Sequence, residues 1–307
     1  MQKAPPTPKG FRDIQPELAK KRREVINKIV GVLEEFGFEP IETPTIEFAG
    51  TLKGKYGEEE RLIYEFKDRG GRDLALRYDL TVPLARYVAT YNSPLPFHRY
   101  QIGQVFRGEN PQRGRYREFT QLDFDTIGSD SLEEDAKIIA CALKATKAVD
   151  VKGAKMLIND RKNFTNVPKE IVVILDKLDK IGQEKVLEEL TQKGIKETAA
   201  TTILQSMRNK SPTEDLGEIF KILEEKFAVK REEYIFNPFL ARGLDYYTGS
   251  IFELKPNDDP VSLTIAAGGR YDNLIGMFTH PDKGGTKKQI PAVGFSFGLD
   301  RLIEALP

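Results

Sequence analysis

Apolar residues recur through positions 13–37 at Leu18, Val25, Ile29, Val32, Leu33 and Phe36. Spacings of three, four and seven predict one amphipathic helix, ended at Gly37. The pattern then breaks. FEPIETPTIEF carries Pro40 and Pro44, which block a helix and predict an extended segment at a sheet edge or an interface. Between positions 74 and 128 the period shortens to two in LALRYDLT, YQIGQVFR and EFTQLDFDTIG, predicting strands of a largely antiparallel sheet. Over 131–149, Ser131 precedes Glu133, Glu134 and Asp135, and Ile138, Ile139, Ala142 and Leu143 supply one apolar face, so a helix is expected to lie on that sheet. Residues 162–232 are rich in Lys and Glu and broken at Gly182, Gly194 and Pro212, with Leu175, Leu178, Leu187 and Leu190 at helical spacing. Strand character resumes at 246–255 and 262–268, and AVGFSFGLDRLIEAL reads as a strand running into a helix. The expected organisation is α+β: an antiparallel sheet flanked by helices, formed by residues 1–161 and 233–307, with a helical insertion at 162–232.

Composition narrows the chemistry. The 307 residues suffice for about two structural units. Lys plus Arg and Asp plus Glu each number 47, and the segment 162–232 balances 13 basic against 13 acidic residues. No global basic field advertises a nucleic-acid partner, so any RNA contact is local. A single cysteine, Cys141, excludes an intrachain disulfide, and within an apolar helix face it reads as a small core residue rather than a reactive thiol. Two histidines, His98 and His280, are too few for a zinc site and read as surface or packing residues. No apolar run approaches the ~18 residues of a membrane span, and the Pro- and Lys-rich first 12 residues, an extended arm, lack the apolar core of a signal peptide. A soluble cytoplasmic protein is expected.

Strand alternation in REFTQLDFDTIG puts Phe119, Gln121, Asp123 and Asp125 on one face, with Thr120, Leu122, Phe124 and Ile127 largely on the other. An aromatic, an amide and two carboxylates together read either as a polar edge meeting water or as a binding floor. Upstream, Arg107, Arg113, Arg115 and Arg117 surround a Pro/Gly turn, a cationic loop able to close on phosphates. Alternation in LRYDLT likewise predicts Arg77, Asp79 and Thr81 on one strand face.

These segments carry a resemblance. FRGENPQRGRYREFTQLDFD resembles motif 2 of class II aminoacyl-tRNA synthetases in its histidyl form. ARGLDYYTGSIFE resembles the histidine-specific signature of histidyl-tRNA synthetases, GGRYDNLIG its companion glycine strand, and VGFSFGLDRL motif 3. The helix before Gly37 with Pro44 after it resembles motif 1. The matches run in order from about residue 10 to the end, outside the insertion, and DFD around Asp125 resembles the archaeal and eukaryotic branch. The resemblance implies the class II catalytic fold, a homodimer through motif 1, and ATP-dependent activation of L-histidine followed by transfer to tRNA(His), with Mg2+ on the ATP phosphates.

By the same resemblance, Arg107 and Arg242 are the catalytic arginines, at the α-phosphate and beside the substrate carboxylate. Asp79, Thr81 and Gln121 hold the α-ammonium group, with Leu80 in the same histidine-binding segment. A neutral imidazole offers one N–H and one lone pair, so its pocket needs an acceptor opposite a donor. Asp125 and Tyr247 can supply that pair, with Tyr246 lining the pocket, although without the preceding ARGLD both tyrosines read as ordinary strand aromatics. Phe119 and Arg301 are implied to sandwich the adenine, Glu109 to sit at the purine edge and Arg115 to serve the distal phosphates. Taken alone, Arg301 is an exposed helix arginine. The family normally continues past motif 3 into an anticodon-binding domain. A second reading is therefore the synthetase-like regulatory subunit of ATP phosphoribosyltransferase, a binding module without aminoacylation, against which the full Gln121, Asp125, Arg242, Tyr246 and Tyr247 set counts.

Overall fold

A computed structural model describes residues 5–91, 93–112, 114–241, 246–257, 262–279 and 289–306. Helix α1 (Pro16–Glu35) begins with a proline, whose missing N–H is no loss in a first turn, and buries Val25, Ile29, Val32 and Leu33. The Pro-rich segment after it is extended, as β1 (Glu39–Pro40) and β2 (Ile46–Phe48), before the short helix α2 (Ala49–Leu52). Strands β3 (Glu65–Lys67) and β4 (Asp73–Leu76) lead to helix α3 (Thr81–Tyr91). The long strands β5 (Phe97–Phe106) and β6 (Glu118–Ile127) follow, then helix α4 (Leu132–Ala148), N-capped by Ser131, and strand β7 (Lys155–Asp160).

Helices α5 (Lys169–Leu175), α6 (Leu178–Gln192), α7 (Glu197–Arg208) and α8 (Glu214–Glu225) occupy the Lys/Glu-rich stretch. Gly182 interrupts α6 with φ 79°, a left-handed conformation that glycine tolerates best. Val172, Leu175, Val186, Leu190, Leu204 and Met207 share an apolar cluster with Phe164, Phe239 and Ala241. Leu216, Ile219 and Leu223 of α8 instead join the main core with α1 and α4. Strands β8 (Tyr234–Phe236), β9 (Ser250–Lys255), β10 (Ala266–Arg270) and β11 (Ala292–Gly298), and helix α9 (Leu299–Glu304), finish the fold.

The main sheet of the described residues runs β1-β5-β6-β11-β10-β9-β7-β8. It is antiparallel except at its margins, where β1 pairs with β5 and β7 with β8 in parallel. Pro40 therefore sits on an edge strand, where a missing donor costs least. A second sheet, β2-β4-β3, is antiparallel. Helices α1 and α4 cover one face of the main sheet over Leu122, Phe124, Phe295 and Phe297. Cys141 lies in that core, and burial pushes its thiol up, away from the reactive range.

Local physics overrides alternation in one segment. LALRYDLT is not one strand: β4 stops at Leu76 and Thr81 opens α3. The Asp79 carboxylate accepts the Val82 N–H at 3.0 Å, a capping bond that favours the helix start over continued extension. Arg77 donates to the carbonyls of Thr43 and Gln104 at 2.8 and 2.7 Å, so it shares no floor with Asp79 and Thr81. Ile127, expected beside Leu122 and Phe124, instead clusters with Tyr247, Tyr271 and Ala292, because strict alternation two residues on from Asp125 puts it on the Asp125 face.

Candidate active site

The face of β6 opposite the α1/α4 core forms the floor of a cavity of about 470 Å³. Phe119, Gln121, Asp123 and Asp125 project into its wall, as period-two alternation requires. Strand β11 pairs with β6 so that Gly294 faces Asp125 and Ser296 faces Asp123. A Cβ at Gly294 would fall 1.8 Å from Asp125 Oδ1, so only glycine leaves room for that carboxylate.

The floor concentrates buried carboxyls. Asp79, Asp123 and Asp125 are all at most 5% exposed. Beneath them lies Arg99, placed opposite Asp125 by the β5–β6 register and fully buried. Its Nη2 stands 2.5 Å from Asp125 Oδ2. Tyr271 donates its hydroxyl to Asp125 Oδ1. Tyr56 donates to Asp79 Oδ1 at 2.9 Å. Burial raises the pKa of all three carboxyls, that of Asp123 up to about 7, against the opposing pull of Arg99. Asp79 Oδ2, Gln121 Oε1 and Asp125 Oδ2 are buried acceptors without a hydrogen-bond partner among the described residues. Asp125 Oδ2 keeps its ion pair with Arg99, whereas Asp79 Oδ2 and Gln121 Oε1 each cost about 1–3 kcal/mol unless a ligand donates to them. Three carboxyls against one buried guanidinium suit a cationic or N–H-rich ligand.

Cationic and aromatic groups form the other end. The Arg107 guanidinium lies 4.4 Å from the Tyr78 ring centroid and 5.1 Å from that of Phe119, and its Nε donates to the Tyr78 carbonyl at 3.2 Å. Arg115 pairs with Glu109 at 3.5 Å. Arg301 donates to the carbonyls of Gly114 and Thr264 at 3.0 and 3.2 Å, bridging α9 to the loop between β5 and β6. The amino-terminal arm braces this loop: the Arg117 N–H donates to the Gly10 carbonyl at 2.9 Å, and Arg12 covers the Tyr116 ring at 3.6 Å.

Asp79, Thr81, Arg107, Glu109, Arg115, Phe119, Gln121, Asp125, Tyr246, Tyr247 and Arg301 therefore line one cavity. Leu80 does not; it is fully buried in the core. Arg242, with Arg113 and His280, lies outside the described residues. His98 packs edge-on against Phe38 and contacts Glu134 at 3.1 Å, a packing role. Sequence reasoning missed Tyr56, Arg99 and Tyr271 as partners of the carboxyls. GGRYD already contained Tyr271, but nothing in the sequence assigned its hydroxyl to Asp125. Among the described residues, no three His, Cys, Asp or Glu side chains are grouped to hold a metal ion.

The family described as histidyl-tRNA synthetase matches residues 10–202 and 170–302. The histidine–tRNA ligase of Aeropyrum pernix is 41% identical, covering 98% of this chain and 74% of that protein. That of Korarchaeum cryptofilum is 39% identical, covering 97% of this chain and 74% of its own. The crystal structure of histidyl-tRNA synthetase from a Nostoc species superposes with a TM-score of 0.81 at 29% identity, over 99% of this chain and 75% of that one. A Bacillus halodurans protein described as an ATP phosphoribosyltransferase regulatory subunit/histidyl-tRNA synthetase gives a TM-score of 0.75 at 24% identity, over 98% of this chain and 83% of that one, and shares the fold.

Proposed function

The chain belongs to the histidyl-tRNA synthetase family and is an enzyme of the histidine–tRNA ligase type, and on that premise we propose how its cavity activates L-histidine and passes it to tRNA(His). The histidine carboxylate attacks the α-phosphorus of ATP. An O–P bond forms, the bond to the bridging oxygen breaks, and pyrophosphate leaves with that electron pair. A terminal tRNA hydroxyl then attacks the histidyl carbonyl and AMP departs. A carboxylate is ionised at neutral pH, so the first step needs positioning and charge neutralisation rather than a general base.

The observation that carries this reading is the pair of buried acceptors without a hydrogen-bond partner among the described residues, on Asp79 and Gln121, with the Arg99-paired Asp125 carboxylate, beside Arg107 in one cavity. Asp79 and Gln121, with the Thr81 hydroxyl, receive the α-ammonium group. Asp125 accepts the imidazole N–H, its lone pairs aimed by Arg99 and Tyr271. Tyr247 donates to the other ring nitrogen and Tyr246 closes the wall. Phe119 and Arg301 hold the adenine, Glu109 its edge, Arg115 the distal phosphates and Arg107 the α-phosphate. Arg242 is assigned, with Arg107, to the charge that develops at the α-phosphate. Magnesium supplies further positive charge to the phosphates. No residue of this chain is assigned to the ion.

Residues 162–232 act as the insertion, supported by the apolar cluster centred on α5–α7. The dimer forms through residues 13–48, and the enzyme works in the cytoplasm. No described helix is long and apolar enough to cross a membrane. Arg242→Ala is expected to lower histidine-dependent ATP–pyrophosphate exchange about 10²- to 10³-fold, with ATP binding changed far less. Near-normal exchange by this variant would remove Arg242 from the transition state. Absence of exchange in the parent chain would favour a regulatory subunit instead.

A further inference from the structure

An amide carries an acceptor on one arm and two donors on the other, so whichever arm meets a ligand is decided by what the amide touches behind it. Gln121 Nε2 donates to Ser296 Oγ at 2.8 Å, and the Ser296 hydroxyl donates to Asp123 Oδ1. The β6–β11 register places Ser296 directly opposite Asp123, so this chain of bonds is built into the sheet. Asp123 is anchored in turn, its backbone carbonyl accepting from Arg99 Nη1 at 3.5 Å. An ionised carboxylate only accepts, so it claims the single hydroxyl proton of Ser296. Ser296 then offers only lone pairs to Gln121, which must turn its NH2 group that way. Gln121 Oε1 is thereby left on the cavity side as a buried acceptor with no hydrogen-bond partner among the described residues.

We infer that Asp123 and Ser296 are positioning residues that fix the amide orientation of Gln121, so that the cavity presents an acceptor rather than a donor to the α-ammonium group of the amino acid. The inference rests on the assignment of Gln121 to that group. A reversed amide would set N–H donors against a cation that itself only donates, losing one charge-assisted hydrogen bond and weakening binding about tenfold or more. Burial pushes Asp123 up to about 7, with Arg99 and Ser296 opposing and Asp125 and Asp79 adding to the rise, so the assays are run at pH 8, where the carboxylate is favoured.

Two inhibitors isolate the effect. Histidinol keeps the α-ammonium group and lacks the carboxylate; 3-(imidazol-4-yl)propionate keeps the carboxylate and lacks the ammonium. In pyrophosphate exchange at pH 8, Ser296→Ala is expected to raise the Ki of histidinol about tenfold, while the Ki of imidazolylpropionate and the KM for ATP stay within about twofold. Asp123→Asn preserves the volume and permits the reversed chain, in which its amide donates to Ser296 and Ser296 donates to Gln121 Oε1. It is expected to show the same selective loss, and it stands in if Ser296→Ala does not fold. Equal weakening of both inhibitors, or no change in either, overturns the inference. Gln121→Ala separates the two levels: if it leaves histidinol binding unchanged, the ammonium assignment itself fails. If it weakens histidinol while Ser296→Ala and Asp123→Asn do not, only the positioning role fails.

Discussion

Asp79, Asp123 and Asp125 share one wall with a single buried guanidinium, so ionising all of them works against folding. Burial raises Asp123 from its usual 3.8 up to about 7. The folded protein thus binds this proton more tightly than the unfolded chain. The cost of ionisation grows as pH rises from about 4 to about 7 and levels off above that. Asp123→Asn escapes it and is expected to be more stable than the parent at pH 8 by about 1–3 kcal/mol, with a smaller gap at pH 5. Denaturant melts at the two pH values check this; a gap independent of pH would contradict it. The face carrying Phe119, Gln121, Asp123 and Asp125 was legible because a strand's period is fixed by its backbone. Arg99 and Tyr271 were not, because register across strands decides what stands beneath Asp125, and one sequence does not state register.

At the scale of elements, β6 holds the floor because β5 and β11 flank it and α1 and α4 back it. The tie between α4 and the β9–β10 side is polar. Asp135, fully buried on α4, accepts from Arg270 Nε at 3.2 Å, from Arg270 Nη2 and from the Ser250 hydroxyl. Arg270 also pairs with Asp272 at 3.4 Å and donates to the Ser129 and Ser131 carbonyls, so Asp135→Ala leaves it partly compensated and is expected to destabilise the fold by about 1–3 kcal/mol. A loss below about 0.5 kcal/mol in a denaturant titration would mean that these remaining partners suffice for Arg270. The helices α1 and α4 were legible from spacing and caps, whereas the break after Leu76 was not. LALRYDLT alternates well enough, and only the Asp79 bond to the Val82 N–H, a local competitor, turns Thr81 into a helix start.

Among the described residues, the small sheet presents an apolar row that the core leaves uncovered. Phe48, Leu74 and Phe66 stand in register across the small sheet, and Ile46, Phe48 and Phe66 are 45%, 58% and 41% exposed. A row of this kind fits the dimer proposed through residues 13–48, in which a twofold axis pairs the patch with itself. Phe48→Glu is expected to shift the protein toward monomer in sedimentation at micromolar concentration; an unchanged sedimentation coefficient would place the dimer contact elsewhere. Selective acceptance of L-histidine by the cavity underlies the whole proposed function. Its most direct test is ATP–pyrophosphate exchange by the purified protein with each of the twenty amino acids offered singly at pH 8. Exchange with histidine alone, abolished by imidazolylpropionate at saturation, is the predicted result. Exchange with no amino acid, or equal exchange with several, would contradict it.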